Sequence, residues 1–439
     1  MIDTAVRKCV EYGKVTGAGG YRLFHLEGQE GSGPNLVQSH YVLEEGTLAK
    51  QRKLLVLLLS VLLIVGVVAL AGCGGKSTAT TAAGGGGVAF KFGLGAPFTG
   101  QYANYGTSHR NGADIAVAQL NANGGVNGGL ASYVVGDDLG DPKQAVLVAQ
   151  QFINDKSVLF VDGHMFSGAT IAAAAKYETA GLPMISPSAT NPDISTLGKF
   201  IWRICITDAV QGAGLAKYSV NTLGFKNIAI MFDDSDYGRG LANAYEAAVK
   251  TAGGAIADKE QYTAGDTDFK AQLTKIKAGN PDLLFLSGYY PEGSKIAQQA
   301  RELGMTTQLL GSDGYASDEL GKLGGAAVEG MLVSTFFDYT KTDDATTNFV
   351  TAYKAKFNAN PDWFAANSYD VIMLAAQAAK NAGKNDRTAI NDALGTIGAY
   401  KGISGSIKFD ANGDVIKPLS IVIVKNGLLS TAPKQPAES

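Results

Sequence analysis

The chain has 439 residues, 46% of them hydrophobic, with 37 basic and 40 acidic side chains and a net charge of −3. That length suits two or three compact units with their own cores, and the charge balance leaves no basic excess for neutralising nucleic-acid phosphates. The 56 glycines follow no G-X-Y period, three cysteines exclude a disulfide framework or a cysteine zinc cluster, and four histidines leave little for a histidine metal site.

Residues 1–49 show no clear apolar periodicity and hold no Met after Met1. An export signal normally starts a few residues ahead of its basic region. This stretch therefore reads as a mis-called gene start, with a non-ATG start codon near Val42 or Leu48, or as a disordered extension. Residues 50–72 read as the signal itself, because Lys50, Arg52 and Lys53 precede an uncharged apolar run. The tetrad Leu70-Ala71-Gly72-Cys73 resembles a bacterial lipobox, in which Cys73 is lipidated and opens the mature chain. A single membrane span is the alternative, but the apolar run 54–70 has only 17 residues, at the short limit for one. Residues 73–87, rich in Gly, Ser and Thr, read as a flexible tether. Cys205 is then the one unlipidated thiol, expected as a small buried apolar residue.

Beyond the tether, strand and helix patterns alternate. Residues 88–95 form a short apolar run ending in Gly, followed by helical spacing through Ala113, Ile115, Ala116, Val117 and Leu120 that Asn123-Gly124-Gly125 stops. Residues 131–136 read as a strand, and Pro142 suits the first turn of a helix over 143–154. Further apolar runs at 158–161, 182–185, 228–232 and 283–286 each follow a helical pattern. This alternation predicts an α/β fold of doubly wound parallel sheets with helices on both faces. Functional residues should then gather where strand C-termini run into loops.

Those loops carry hydroxyls early in the chain and Tyr and carboxylates later. His109 and His164, the two histidines of the mature chain, sit in no catalytic pattern, so no nucleophile–base pair emerges and no enzyme is expected. The loop chemistry suits a zwitterion. Ser167 precedes a helix over 169–177, where a hydroxyl and backbone N–H groups can hold an anion. Thr190 offers a second hydroxyl from the neighbouring strand end, Asp313 a carboxylate for an ammonium group, and the Tyr side chains apolar walls with a polar tip. Simple helix capping by Ser167 and ordinary packing of each Tyr are the competing readings.

These residues also carry a resemblance. The ordered set Thr99-Gly100 with Tyr105-Gly106, Asp137-Asp138 with Asp141-Pro142, Phe166-Ser167-Gly168-Ala169-Thr170, Ser186-Pro187-Ser188-Ala189-Thr190, Asp236-Tyr237-Gly238 and Gly288-Tyr289 resembles the leucine/isoleucine/valine-binding protein family. These are extracytoplasmic receptors of branched-chain amino acid ABC transporters, and the match runs from about Val88 to about Asn426. The resemblance implies a type I periplasmic-binding-protein fold of two lobes joined by three crossovers, near Thr207, Thr335 and Ser404, that closes on its ligand by hinge motion. Residues 88–207 and 336–403 would form one lobe, 208–335 and 404–427 the other, and 428–439 a C-terminal tail. Carried over by position, Ser167 and Thr190, with the backbone around Met165, would bind the ligand α-carboxylate. The Ser188 carbonyl and Asp313 would bind the α-ammonium, and Tyr105, Tyr237 and Tyr289 would line the pocket, with Phe166 and Ala189 beside them.

The chain departs from that pattern at three places. Asp313 stands where well-studied members carry Glu, one methylene longer. Their disulfide has no counterpart, since the matching positions are Gly140 and Phe166, and the bulky Phe166 would narrow the pocket or point away from it. Other motifs read more blandly. Gly93-Leu94-Gly95 hints at a dinucleotide loop but has Phe98 in place of the third Gly. Residues 410–414 suggest a calcium loop, yet Ile421 stands where the bidentate Glu belongs, so a hairpin turn is expected. Asp233, Asp234 and Asp236 read as a solvated rim, and a helix over 367–380 as core.

The function expected is a transport receptor that captures a branched-chain or other small aliphatic amino acid, with a sensory lipoprotein or an amide or urea receptor as alternatives. The implied partners are the amino-acid ligand and a separate ABC permease with its ATPase. A membrane would be met through the lipid anchor alone, with no nucleic acid, no cofactor, no metal and a monomeric protein. An extracytoplasmic, lipid-anchored location follows from the signal.

Overall fold

The computed structural model describes residues 87–436. The expected extension at 1–49, the signal at 50–72, the lipidation site Cys73 and all but the last residue of the tether lie outside the described residues. Within them, β1 (Phe90–Ala96), β2 (Ala131–Asp137), β3 (Val158–Asp162), β4 (Met184–Ser186) and β5 (Ile201–Arg203) form one sheet in the order β2-β1-β3-β4-β5. All of its pairings are parallel. The crossovers are α1 (Ala103–Ala122), α2 (Pro142–Asn154) and α3 (Ser167–Ala180). Strand β3 is buried along its whole length, as an apolar run covered on both faces must be.

The chain then leaves this sheet through α4 (Asp208–Lys217) and builds a second one. Strands β6 (Asn227–Asp233), β7 (Ala255–Tyr262), β8 (Leu283–Ser287), β9 (Gln308–Gly311) and β10 (Leu332–Thr335) alternate with α5 (Asp236–Thr251), α6 (Lys270–Ala278), α7 (Tyr290–Glu302) and α8 (Glu319–Gly324). After β10 the chain returns to the first lobe as α9 (Asp344–Phe357), α10 (Trp363–Ala382) and α11 (Arg387–Thr396), then makes a hairpin of β11 (Tyr400–Gly402) and β12 (Gly405–Ile407). It ends in β13 (Ser420–Lys425) and β14 (Leu428–Thr431), antiparallel additions that give the order β14-β13-β10-β9-β8-β6-β7.

Each sheet reverses strand order at one point, between β1 and β3 in the first and between β6 and β8 in the second. Loops part at such switch points and leave a crevice at the strand C-termini. Two glycine contacts hold the flanking helices close. A Cβ at Gly112 of α1 would lie 2.0 Å from the Ala365 carbonyl oxygen of α10. Phe152 of α2 fills the space that side chains at Gly93 and Gly136 would need, their Cβ positions lying 2.7 and 2.6 Å from its ring. Gly93 is thus a packing residue inside β1 rather than part of a dinucleotide loop.

Two boundaries differ from expectation. Residues 404–415, assigned to the second lobe, pack on the first. Asp370 of α10 accepts from the Ile403 and Ser404 N–H groups at 2.9 and 2.8 Å, and buried Arg203 of β5 ion-pairs with Asp414. A buried guanidinium without a carboxylate is costly, so this pair holds the 410–414 turn to β5. That turn is a hairpin-like reversal, with Asp410 accepting from Asn412 N and Asp414 N, and Phe409 bridging Val415. The second difference is at the C-terminus: residues 428–431, expected in a tail, are a paired strand because Leu429 is buried on the sheet. Among the described residues no helix is long and apolar enough to cross a membrane.

Candidate ligand-binding site

The loops after β3 and β4 are stitched together before they meet anything else. Ser186 Oγ donates to the His164 carbonyl at 2.7 Å and accepts from Ala189 N at 3.0 Å, while Ser188 Oγ donates to the Met165 carbonyl at 2.8 Å. Ser167 is the first residue of α3, not its cap; the cap position is Phe166, and no side chain caps this N-terminus. The Ser167 hydroxyl accepts only a long bond from Asn191 N, 3.3 Å. It therefore stands at the positive end of a helix with its own proton free.

The second lobe supplies a tighter cluster. Ser235 caps α5 by accepting from Gly238 N, which places Tyr237 in the first turn facing the end of β9. The Tyr237 hydroxyl donates to Asp313, accepts from Gly314 N at 3.1 Å, and lies 2.8 Å from Ser312 Oγ. Asp313 is 1% exposed, and burial pushes its carboxyl up to about 6 against the bond from Tyr237.

Between the lobes lies a small cavity. Met165, Phe166, Ser167 and Ser188 line it from the first lobe, Tyr237, Tyr289, Asp313 and Gly314 from the second, and Trp363 and Phe364 from the start of α10. Hydroxyls thus face a carboxylate across a space walled by aromatic rings. Phe166 and Tyr289 stack across the lobes at 4.4 Å, so Phe166 does narrow the cavity. It also fills the room beside Gly140, where a Cβ would come within 2.8 Å of its ring.

The lobes are bonded to each other around this space. Tyr105 donates to the Gly314 carbonyl at 2.7 Å and accepts from Tyr290 N at 3.0 Å. Trp363 Nε1 donates to the Asp313 carbonyl at 2.9 Å. On the rim, Glu292 of α7 accepts from Gln101, from Tyr102 at 3.2 Å and from Gly265 N at 2.9 Å.

Of the residues named from sequence, Met165, Phe166, Ser167, Ser188, Tyr237, Tyr289 and Asp313 therefore meet in one cavity. Tyr105 stands behind it, its ring 5.5 Å from Phe166 and 5.6 Å from Tyr289. Ala189 and Thr190 are buried but do not line it. Sequence reasoning missed Trp363 and Phe364, because the helix was expected to begin at 367; Pro361-Asp362 just before them was the available signal, Asp362 being the cap of α10. It also placed Asp233 on a solvated rim, whereas Asp233 is 1% exposed and burial pushes its carboxyl up to about 7. Cys205 is buried as expected, and burial raises its thiol to about 12, which makes it inert as a nucleophile.

A family profile described as periplasmic binding protein matches residues 89–428. The leucine-, isoleucine-, valine-, threonine- and alanine-binding protein of Pseudomonas aeruginosa is 35% identical over 326 residues, covering 74% of this chain and 87% of that protein. The chain belongs to the leucine/isoleucine/valine-binding family of periplasmic binding proteins. Among solved structures, the branched-chain amino acid substrate-binding protein LivJ of Streptococcus pneumoniae, in complex with isoleucine, superposes with a TM-score of 0.75 at 33% identity, covering 79% of this chain and 100% of that one. The leucine-binding protein LivK of Thermotoga maritima gives 0.74 at 33% identity, covering 78% and 97%. Members of this family are solute-binding receptors rather than enzymes.

Proposed function

We propose that this receptor captures a branched-chain or other small aliphatic amino acid by lobe closure and delivers it to a membrane permease, with its ATPase as a further chain. The observation that carries the reading is the pairing, in one cavity, of the free Ser167 hydroxyl at a helix N-terminus with the buried Asp313 carboxylate. The first suits a carboxylate and the second an ammonium group, at the separation of two lobe faces. The aromatic walls suit an apolar side chain, and the Phe166–Tyr289 stack favours a small one.

In this reading the hinge strands run near Thr207 and Thr335 and through 415–420, the protein acts as a monomer, and Cys73 carries the lipid that holds it to the outer face of the cell membrane. The test is thermal denaturation of the purified protein against amino acids, amides and urea, with uptake of the labelled ligand measured after gene deletion. A ligand at 100 times its dissociation constant adds about 2.7 kcal/mol of stability. Stabilisation by leucine, isoleucine or valine and loss of uptake on deletion are expected; stabilisation by amides or urea alone overturns the reading.

A further inference from the structure

One ring in the cavity wall is held from behind as well as from in front. Phe166 takes the cap position of α3 with an extended backbone and is 7% exposed. Its ring stacks on Tyr289 of the second lobe at 4.4 Å, and Tyr102 meets it edge-on, the ring centres 5.2 Å apart. One edge is turned to Gly140, where a Cβ would lie 2.8 and 2.9 Å from Cδ2 and Cε2. The ring is thus wedged between a backbone that carries no side chain and the aromatic wall of the other lobe.

The backbone behind the ring is fixed. Gly140 N donates to Asp138 Oδ1 at 2.9 Å, and Asp141 N donates to the Asp138 carbonyl at 2.8 Å. Asp141 also caps α2 by accepting from Lys143 N and Gln144 N. Asp138 is fully buried, and its other oxygen lies 2.6 Å from Nδ1 of His164, two residues before Phe166. The turn and the ring are therefore tied to one imidazole. A close-packed interior of this kind does not absorb an added or removed group without a change of shape.

We propose that the Phe166–Gly140 pair sets the upper size of the ligand side chain, admitting aliphatic amino acids and shutting out aromatic ones. The Phe166 ring already fills the place from which an aromatic ligand side chain would stack on Tyr289. Cutting Phe166 back to alanine frees a space of phenyl shape, bounded by Tyr102, Tyr289 and the Gly140 backbone, which a benzyl side chain can take. A methyl group at Gly140 acts in the opposite sense, because it drives the ring forward into the cavity. This inference rests on the amino-acid reading of the cavity.

The experiment titrates the purified protein and its Phe166→Ala, Phe166→Leu and Gly140→Ala variants with alanine, valine, leucine and phenylalanine. The unaltered protein should prefer leucine or valine to phenylalanine by about tenfold or more, the scale of a misfit in an apolar pocket. Phe166→Ala should bind phenylalanine more tightly than the unaltered protein does, shifting the leucine-to-phenylalanine ratio by about 30-fold. Phe166→Leu should shift the same ratio in the same direction by less. Gly140→Ala should move preference from leucine towards alanine by about tenfold, whatever it does to the melting temperature. If Phe166→Ala weakens all four ligands by one common factor, the ring serves lobe closure only and the proposal is overturned. An unaltered protein that takes phenylalanine as well as leucine overturns it too. Should Phe166→Ala fail to fold, an unshifted ratio in Phe166→Leu does the same. Failure of the unaltered protein to bind any of the four amino acids overturns the functional reading itself, a separate outcome.

Discussion

Ser167 and Asp313 do different work at the two ends of one cavity, and their surroundings set how each responds to substitution. Ser167 caps nothing and accepts one long bond, so Ser167→Ala should leave the melting temperature within about a degree while weakening amino-acid binding by about tenfold or more, the value of a hydrogen bond to a charged group. Calorimetric titration checks this; a variant that binds as tightly as its parent removes the hydroxyl from the site. Asp313→Ala should lose more affinity, because it leaves a buried cation facing apolar atoms. Much of this set was legible in sequence, since strand ends at a switch point expose whatever follows them. Trp363 and Phe364 were not, because aromatic residues at a helix start look like core until the neighbouring lobe is seen.

Elements hold the site through their spacing. Helix α1 carries Tyr105 and the rim residues Gln101 and Tyr102 just ahead of it, and its position depends on backbone contact with α10 at Gly112 and Ala365. Gly112→Ala should therefore cost about 1–3 kcal/mol by overpacking and lower the melting temperature by several degrees; a neutral result would mean that the two helices slide apart freely. The strands themselves were readable from composition because β3 and β8 are buried throughout and apolar up to their last residues, Asp162 and Ser287. The hairpin and turn at 400–415 were not assignable to a lobe, since nothing local tells Asp370 or Arg203 which distant segment will satisfy them. A charge partner 211 residues away, Asp414 for Arg203, is a fact of topology rather than of sequence pattern.

At the scale of the whole molecule, the two lobes are joined across the cavity by groups whose protonation matters. On the rim, Glu292→Ala would strand Gln101, Tyr102 and Gly265 N without their shared acceptor. Ligand affinity should fall by roughly tenfold as the closed form loses support, read by titration, whereas an unaltered affinity would show that the rim contact contributes nothing to closure. The buried carboxylates set a pH response. Burial raises Asp233 to about 7 and Asp313 and Asp362 to about 6. A carboxyl raised on folding binds its proton more readily in the folded chain, so its stabilising contribution is complete below the ordinary value and lost as pH rises through the raised one. His109 opposes this: burial lowers it to about 3, so the unfolded chain takes its proton first and stability falls as pH drops below about 6.5. Lys417, lowered to about 8 by burial, changes stability only above that pH. Burial raises the carboxyls of Asp162, Asp208 and Asp370 as well, so between pH 8 and 5.5 the carboxyls outweigh one imidazole, and the melting temperature without ligand should rise on acidification. An amino acid needs Asp313 ionised to hold its ammonium, so the stabilisation it adds should shrink over the same interval. Melting curves at pH 8, 7, 6 and 5.5, with and without leucine, test both parts at once. Two curves that run parallel would mean that the ligand does not engage the buried carboxylates, and a ligand-free curve that falls with acid would give the pH response to the imidazole instead.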